Sequence, residues 1–180
     1  GPQGLEIQHA STLAGTSLGA TYTEAAGNPS PNGISVQIAN AFNAHDVDSE
    51  GDPNADELAG AQVRISDNFQ SGAGHQDVLT INGNTSGSVV FGADTINFSY
   101  NSASGVMTLT GITTLDNYEA ILALVRIRVD GDNPTNYGTA GTRVVSFSTF
   151  DGLLYSDEVN STVTVTGIND APINTVGGTH

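Results

Sequence analysis

Short apolar runs with a period of two recur along the chain, and no other feature limits its fold so strongly. Ile34-Ser-Val36-Gln-Ile38 alternates apolar with polar residues, as do Ala61-Gln-Val63-Arg-Ile65 and Ile96-Asn-Phe98-Ser-Tyr100. Val106-Met-Thr-Leu109, Val144-Val-Ser-Phe147 and Thr162-Val-Thr-Val-Thr166 follow the same rule. Such alternation puts successive side chains on opposite faces of an extended backbone, so each run reads as a half-buried strand. Gly, Asn, Asp or Pro bounds each run, and Asn82-Gly83 and Ser104-Gly105 are tight-turn pairs. Several short strands at this spacing predict an all-β, Greek-key sandwich. One segment departs from the pattern. Asp116 has the chemistry of a helix cap and Glu119 follows three residues later, while Tyr118, Ile121 and Leu122 share one face at helical spacing. A short helix is expected there, running into a strand over Leu124–Val129 and plugging one edge or end of the sandwich.

The 180 residues suit one large β domain, and neither an internal repeat nor a second domain is visible. Residues 21–174 read as the sandwich and 1–20 as an N-terminal extension or edge strand. Residues 175–180 have the composition of a linker or tag remnant, and Gly1-Pro2 that of a cloning scar. No apolar run approaches the roughly 20 residues that cross a bilayer, so membrane insertion is not expected. The opening residues lack the basic and apolar regions of a signal peptide.

Charge narrows the partners. Nineteen acidic residues face four basic ones, giving a formal net charge of −15. All four bases are Arg, and Lys is absent. Such a chain repels phosphate backbones and acidic lipid surfaces, which excludes nucleic acid as a natural partner. Self-repulsion also opposes compaction unless cations offset it. Cysteine is absent, so neither disulfides nor thiolate metal sites are available. Bound calcium is the alternative staple, and millimolar extracellular calcium fills even weak sites.

The densest ligand chemistry lies in Asp46-Val-Asp48-Ser-Glu50-Gly-Asp52-Pro-Asn-Ala-Asp56-Glu57. Alternate acids in an extended loop turn their carboxylates to one side, where they converge on a hard cation that takes about six to eight oxygens. The spacing nearly fits an EF-hand loop, with Gly51 sixth and Glu57 twelfth. Glu50 and Pro53 disagree with that motif, however, and both flanks alternate as strands rather than helices. A calcium loop between strands is expected; a solvated acidic turn is the plainer alternative. A second loop, Ser66–Asp77, offers Asp67 and Asp77 as metal ligands. Its glycines let backbone carbonyls turn inward, and Asn68, Gln70, Ser71, Gly72, Gly74, His75 and Gln76 can meet a ligand. Asp132 and Asn133 form a turn with ligand potential. Asp151, before Gly152, reads as a hairpin residue or a metal ligand. Asp170 follows the last strand, where a cation can be shared with an adjacent domain.

Catalysis finds no support. The four histidines (His9, His45, His75, His180) are scattered, no nucleophile elbow appears, and the carboxylates cluster in a loop instead of flanking a cleft as in a glycosidase.

Several pieces in order resemble the cadherin-like modules of giant bacterial RTX adhesins. They are Tyr22-Thr-Glu24, the 46–57 loop, Ala61–Phe69, Gly105–Gly111, Leu115–Leu122, Asp132-Asn-Pro134, Arg143–Phe147, Asp151-Gly152 and Val165–Pro172, together covering roughly residues 20–174. The resemblance implies a calcium-dependent, cadherin/immunoglobulin-like β-sandwich, secreted to the bacterial cell surface and working as a monomer among adjacent domains of one adhesin in cell adhesion and biofilm. Within the family, plain extender modules are shorter. The length here and the elaborated 66–77 loop favour the peptide-binding type, which captures the C-terminal peptide of a host or neighbouring-cell surface protein through a bound calcium. A rigid spacer, or a split sandwich hosting a sugar-binding domain, are the alternatives.

Overall fold

The computed structural model describes residues 9–16, 18–26, 33–46 and 57–169. Twelve strands and one helix follow in the order β1 (Thr12–Thr16), β2 (Ala20–Thr23), β3 (Val36–Gln37), β4 (Ala41–His45), β5 (Glu57–Asp67) and β6 (Gln76–Ile81). Then come β7 (Ser86–Phe91), β8 (Asp94–Asn101), β9 (Val106–Thr114), α1 (Leu115–Ala123), β10 (Val125–Asp130), β11 (Thr142–Phe150) and β12 (Val159–Thr166). The described residues are therefore mostly β with one short helix, consistent with an all-β chain. Seven strands form a sheet in the order β2-β12-β11-β5-β9-β8-β7; three more run β3-β10-β6, and β1 pairs with β4. Only β2 meets its neighbour β12 in parallel; the other pairs are antiparallel.

The alternation read from the sequence reappears as burial in β5, β8 and β12, but not in two other runs: Ile34 is 86% exposed ahead of a β3 of only two residues, and β11 is buried on both faces over Val145–Phe147. Val63 and Ile65 of β5, Ile96 and Phe98 of β8, and Val163 and Val165 of β12 point into one core, joined by Leu79, Val125 and Ile127 from the three-stranded sheet. Phe42 of β4 packs on Phe147 of β11 at 4.8 Å between ring centroids. The N-terminal extension supplies β1, which pairs with β4 from Thr12 opposite His45 to Thr16 opposite Ala41.

Two turns take the conformations their residues dictate. Asn82 and Gly83 have φ of 51° and 81°, the paired positive values of a type I′ turn. Ile81 and Asn84 bond each other across it. The helix buries Tyr118, Ile121 and Leu122, as their spacing predicts, but starts earlier than Asp116. Thr114 is the cap, its hydroxyl accepting from Asn117 N at 3.3 Å. Asp116 lies instead in the first turn, where a carboxylate is favoured by the helix dipole. Glu119 does not close a capping box either; its Oε1 accepts from Ala44 N at 2.7 Å and ties the helix to β4.

Tyr22 joins the sheets at one point. Its ring is buried, and its hydroxyl donates to Val129 O of β10 at 2.7 Å while accepting from Gly33 N at 3.1 Å. Tyr22→Phe keeps the ring but strands both backbone groups. A loss of about 1–3 kcal/mol is expected in denaturant unfolding, with the slope of the transition unchanged.

Candidate functional site

Antiparallel pairing of β6 with β10 sets Gln76 opposite Asp130 and Asp77 opposite Val129. The 68–76 loop and the 131–141 loop consequently leave the same end of the three-stranded sheet. A buried ion pair fastens them together. Arg143 Nε lies 2.7 Å from Asp77 Oδ2, and both side chains are fully buried. The same Asp77 oxygen accepts from Gln70 N at 2.8 Å. Arg143 Nη1 donates to Ala140 O at 2.6 Å and Nη2 to Pro134 O at 2.9 Å, so one guanidinium holds both ends of the second loop.

Further bonds run directly between the loops. Asn133 N donates to Gly74 O at 2.8 Å, and Asn136 Nδ2 donates to Gln70 Oε1 at 3.1 Å. Gly131, at φ +113°, lies so close to the Gly74 backbone that no Cβ could be added. Gln76 Nε2 bonds Asp77 O at 2.9 Å and reaches Ser102 O in the β8–β9 turn. The residues expected to meet a ligand, Asn68, Gln70, Ser71, Gly72, Gly74, His75 and Gln76 on one loop and Asp132 and Asn133 on the other, are thus assembled on one platform. Spacing alone did not indicate that the two loops meet. Beside them, Asn136 and Tyr137 hold φ of 47° and 57°, and Tyr137 is 89% exposed.

Desolvation raises the carboxyl pKa of Asp77 above its ordinary value, and the Arg143 guanidinium pulls against that shift. Burial, with Asp77 nearby, likewise pushes up the hydroxyl of Tyr100, which donates to Asp77 O at 2.9 Å. Asp77 Oδ1 has no partner.

The expected metal ligands fall in different places. Asp48, Glu50, Asp52, Asp56 and Asp170 lie outside the described residues. Asp46 is buried just beyond β4, and Glu57 opens β5 opposite Thr114. Asp67 is exposed at the end of β5 opposite Val144. Asp151 shapes the turn after β11, its Oδ1 accepting from Leu153 N and Leu154 N at 2.7 Å each. Among the described residues no group of three or more His, Cys, Asp or Glu is placed to hold a metal.

A second carboxylate constellation was not assigned from the sequence. Glu24, just after β2, is 4% exposed and lines a cleft of about 450 Å³ with Asp132, Asn133 and the Gly167–Asn169 segment. Its Oε2 accepts from Ile168 N at 2.8 Å, but its buried Oε1 has no partner. A buried carboxylate oxygen without a donor is costly, and a bound cation is one remedy.

No family model, curated protein or solved structure matches the chain.

Asp77→Ala leaves a buried guanidinium uncompensated. The expected cost is about 3–5 kcal/mol in denaturant unfolding, with faster hydrogen exchange at the Gln70 amide. Glu158→Gln instead disrupts an exposed pair with Arg64 (2.6 Å), and its effect should stay below about 1 kcal/mol.

Proposed function

We propose that this chain is a calcium-dependent ligand-binding module of a bacterial surface adhesin, with a Greek-key, cadherin-like sandwich fold and no catalytic activity. In this reading it is secreted to the cell surface and captures the free C-terminal peptide of a partner protein in cell adhesion. The observation that carries it is the unpartnered, buried Oε1 of Glu24 in a cleft shared with Asp132. Glu24, Asp132 and the amide oxygen of Asn169 are the hard oxygen donors that calcium selects, and Asp170 follows directly in sequence. The net charge of −15 gives a divalent cation a second task, because such a chain repels a peptide carboxylate until the local charge is reversed. The two-loop platform supports the ligand-binding half of the reading. It gathers amide and carboxylate groups on loops that a buried ion pair holds still, and fewer loop conformations then have to be frozen on binding.

Calcium held only by the folded chain stabilises it by mass action, by about 2.7 kcal/mol at a hundredfold excess over Kd. Thermal melts in EDTA and in millimolar calcium should differ accordingly, and coincident melts would overturn the calcium reading. Glu24→Gln should weaken calcium binding in calorimetric titration by removing the cleft's buried charge. Asp48→Ala should remove or weaken a separate event if the 46–57 loop holds its own ion. Peptides with free carboxyl termini should bind in calcium but not in EDTA, and amidated versions should not bind. If amidation makes no difference, the capture mode is wrong; if no peptide binds while calcium still stabilises the fold, a calcium-stiffened spacer takes its place.

A further inference from the structure

The seven-stranded sheet ends, among the described residues, at β7. This strand pairs with β8 from Ser86 opposite Ser99 to Phe91 opposite Asp94, without a register shift. Thr85 O accepts from Tyr100 N at 2.8 Å. Bonded pairs alternate along an antiparallel ladder, so Thr85, Gly87, Val89 and Phe91 face β8. The N–H and C=O groups of Ser86, Ser88 and Val90 point outward. The two-residue turn Gly92-Ala93, with Gly92 at φ +64°, agrees with this phase, because Phe91 and Asp94 then flank it as a bonded pair.

Sheet edges in proteins are ordinarily blunted by charge, proline, a bulge or a cover. Residues 85–91, Thr-Ser-Gly-Ser-Val-Val-Phe, carry no charge and no proline. No bulge interrupts the pairing, and Val90 is 65% exposed. On the core side, Val89 and Phe91 are only partly covered, although they pack against the core. A strand laid along this edge would satisfy three residues' worth of backbone groups and set its own alternate side chains against Val89 and Phe91.

We propose that the edge of β7, which no other described strand pairs, takes up an extended peptide by antiparallel strand addition, the peptide carrying apolar residues at alternate positions and few acids. This rests on the binding-module reading above and gives that module's peptide a place and a direction. A second copy of the chain is the poorer occupant, since edge-to-edge pairing would bring together two molecules each carrying −15. Antiparallel addition fixes the direction. β7 runs from Ser86 to Phe91, so an antiparallel peptide ends beside Ser86. That is the end of the hairpin from which Tyr100 reaches Asp77 O, at the root of the 68–76 loop. The carboxyl terminus of the peptide is therefore directed toward the loop platform instead of away from it. Backbone bonds supply the affinity and alternate side chains the selectivity.

Ser88→Pro isolates this edge. Its N–H points outward, so proline removes an edge donor and obstructs an incoming strand while sparing the β7–β8 ladder. Linear peptides should be selected from a random library on the full chain in calcium, then measured against wild type and Ser88→Pro. Affinity is expected to fall by about tenfold or more in the variant, with its thermal melt unchanged. N-methylation of every second peptide amide should abolish binding in one phase and spare it in the other. Peptides that bind both proteins equally, or that tolerate methylation in both phases, overturn strand addition while leaving a binding module elsewhere on the surface. Selected peptides that lose affinity in Ser88→Pro yet tolerate C-terminal amidation uphold the edge and overturn carboxylate capture. If no peptide is enriched, both proposals fall, and concentration-dependent sedimentation of wild type but not of Ser88→Pro would identify a second copy as the occupant.

Discussion

The guanidinium of Arg143 lies in the interior and must be neutralised where it stands. Asp77 does this, and the pair gives the end of the three-stranded sheet its shape. Arg143 holds Pro134 O and Ala140 O; Asp77 holds Gln70 N. Two loops that could otherwise move separately become one surface. The desolvation that raises the Asp77 pKa indicates that this charge is not buried cheaply, and apolar residues of similar volume can match or exceed the stability of such a pair. What apolar packing lacks is direction: a carboxylate and a guanidinium fix where each backbone group of the two loops must sit.

That arrangement also ties the loop platform to the cleft at Glu24. Asp132, Asn133, Pro134 and Thr135 line the cleft. Within the same stretch, Asn133 N bonds Gly74 O and Pro134 O accepts from Arg143. A cation that pulled on Asp132 would act on a segment already bonded to the 68–76 loop. If this chain binds a metal and a ligand as proposed, any coupling between them is reciprocal, each changing the other's affinity by the same factor.

Much of the fold is legible in the sequence wherever a strand has one wet and one dry face. Strands β5, β8 and β12 announce themselves by alternation, and α1 by the spacing of Tyr118, Ile121 and Leu122. β6 does not, because Asp77–Ile81 is buried throughout and gives no period of two. β7 does not either, since Ser86-Gly-Ser88 lacks strand propensity and Val89-Val-Phe91 runs on without alternation. The start of α1 was misplaced because Thr114 and Asp116 are both plausible caps and only the backbone geometry separates them. At the site, the ligand-rich composition of both loops was visible. Their union was not, because Asp77 and Arg143 stand 66 residues apart. Glu24 was equally obscure, as a single acid gains meaning only when the chain folds Ile168 and Asp132 around it.

The distribution of cations bears on how an anionic ligand could be received at all. The chain's Lys and Arg count is four, and all four arginines lie among the described residues. Arg64 is paired with Glu158, Arg128 with Asp130 and Arg143 with Asp77. Arg126 donates to Ser35 Oγ at 3.1 Å and Ser35 O at 2.6 Å. Every guanidinium is thus engaged within the fold, and freeing one for a carboxylate would leave an acid or a backbone carbonyl without its donor. In the proposed reading, the positive charge that would hold a peptide terminus comes from solvent as a divalent ion, entering a cleft lined by Glu24 and Asp132. An acidic surface and recognition of an acidic group are then compatible, the cation being the element that reconciles them.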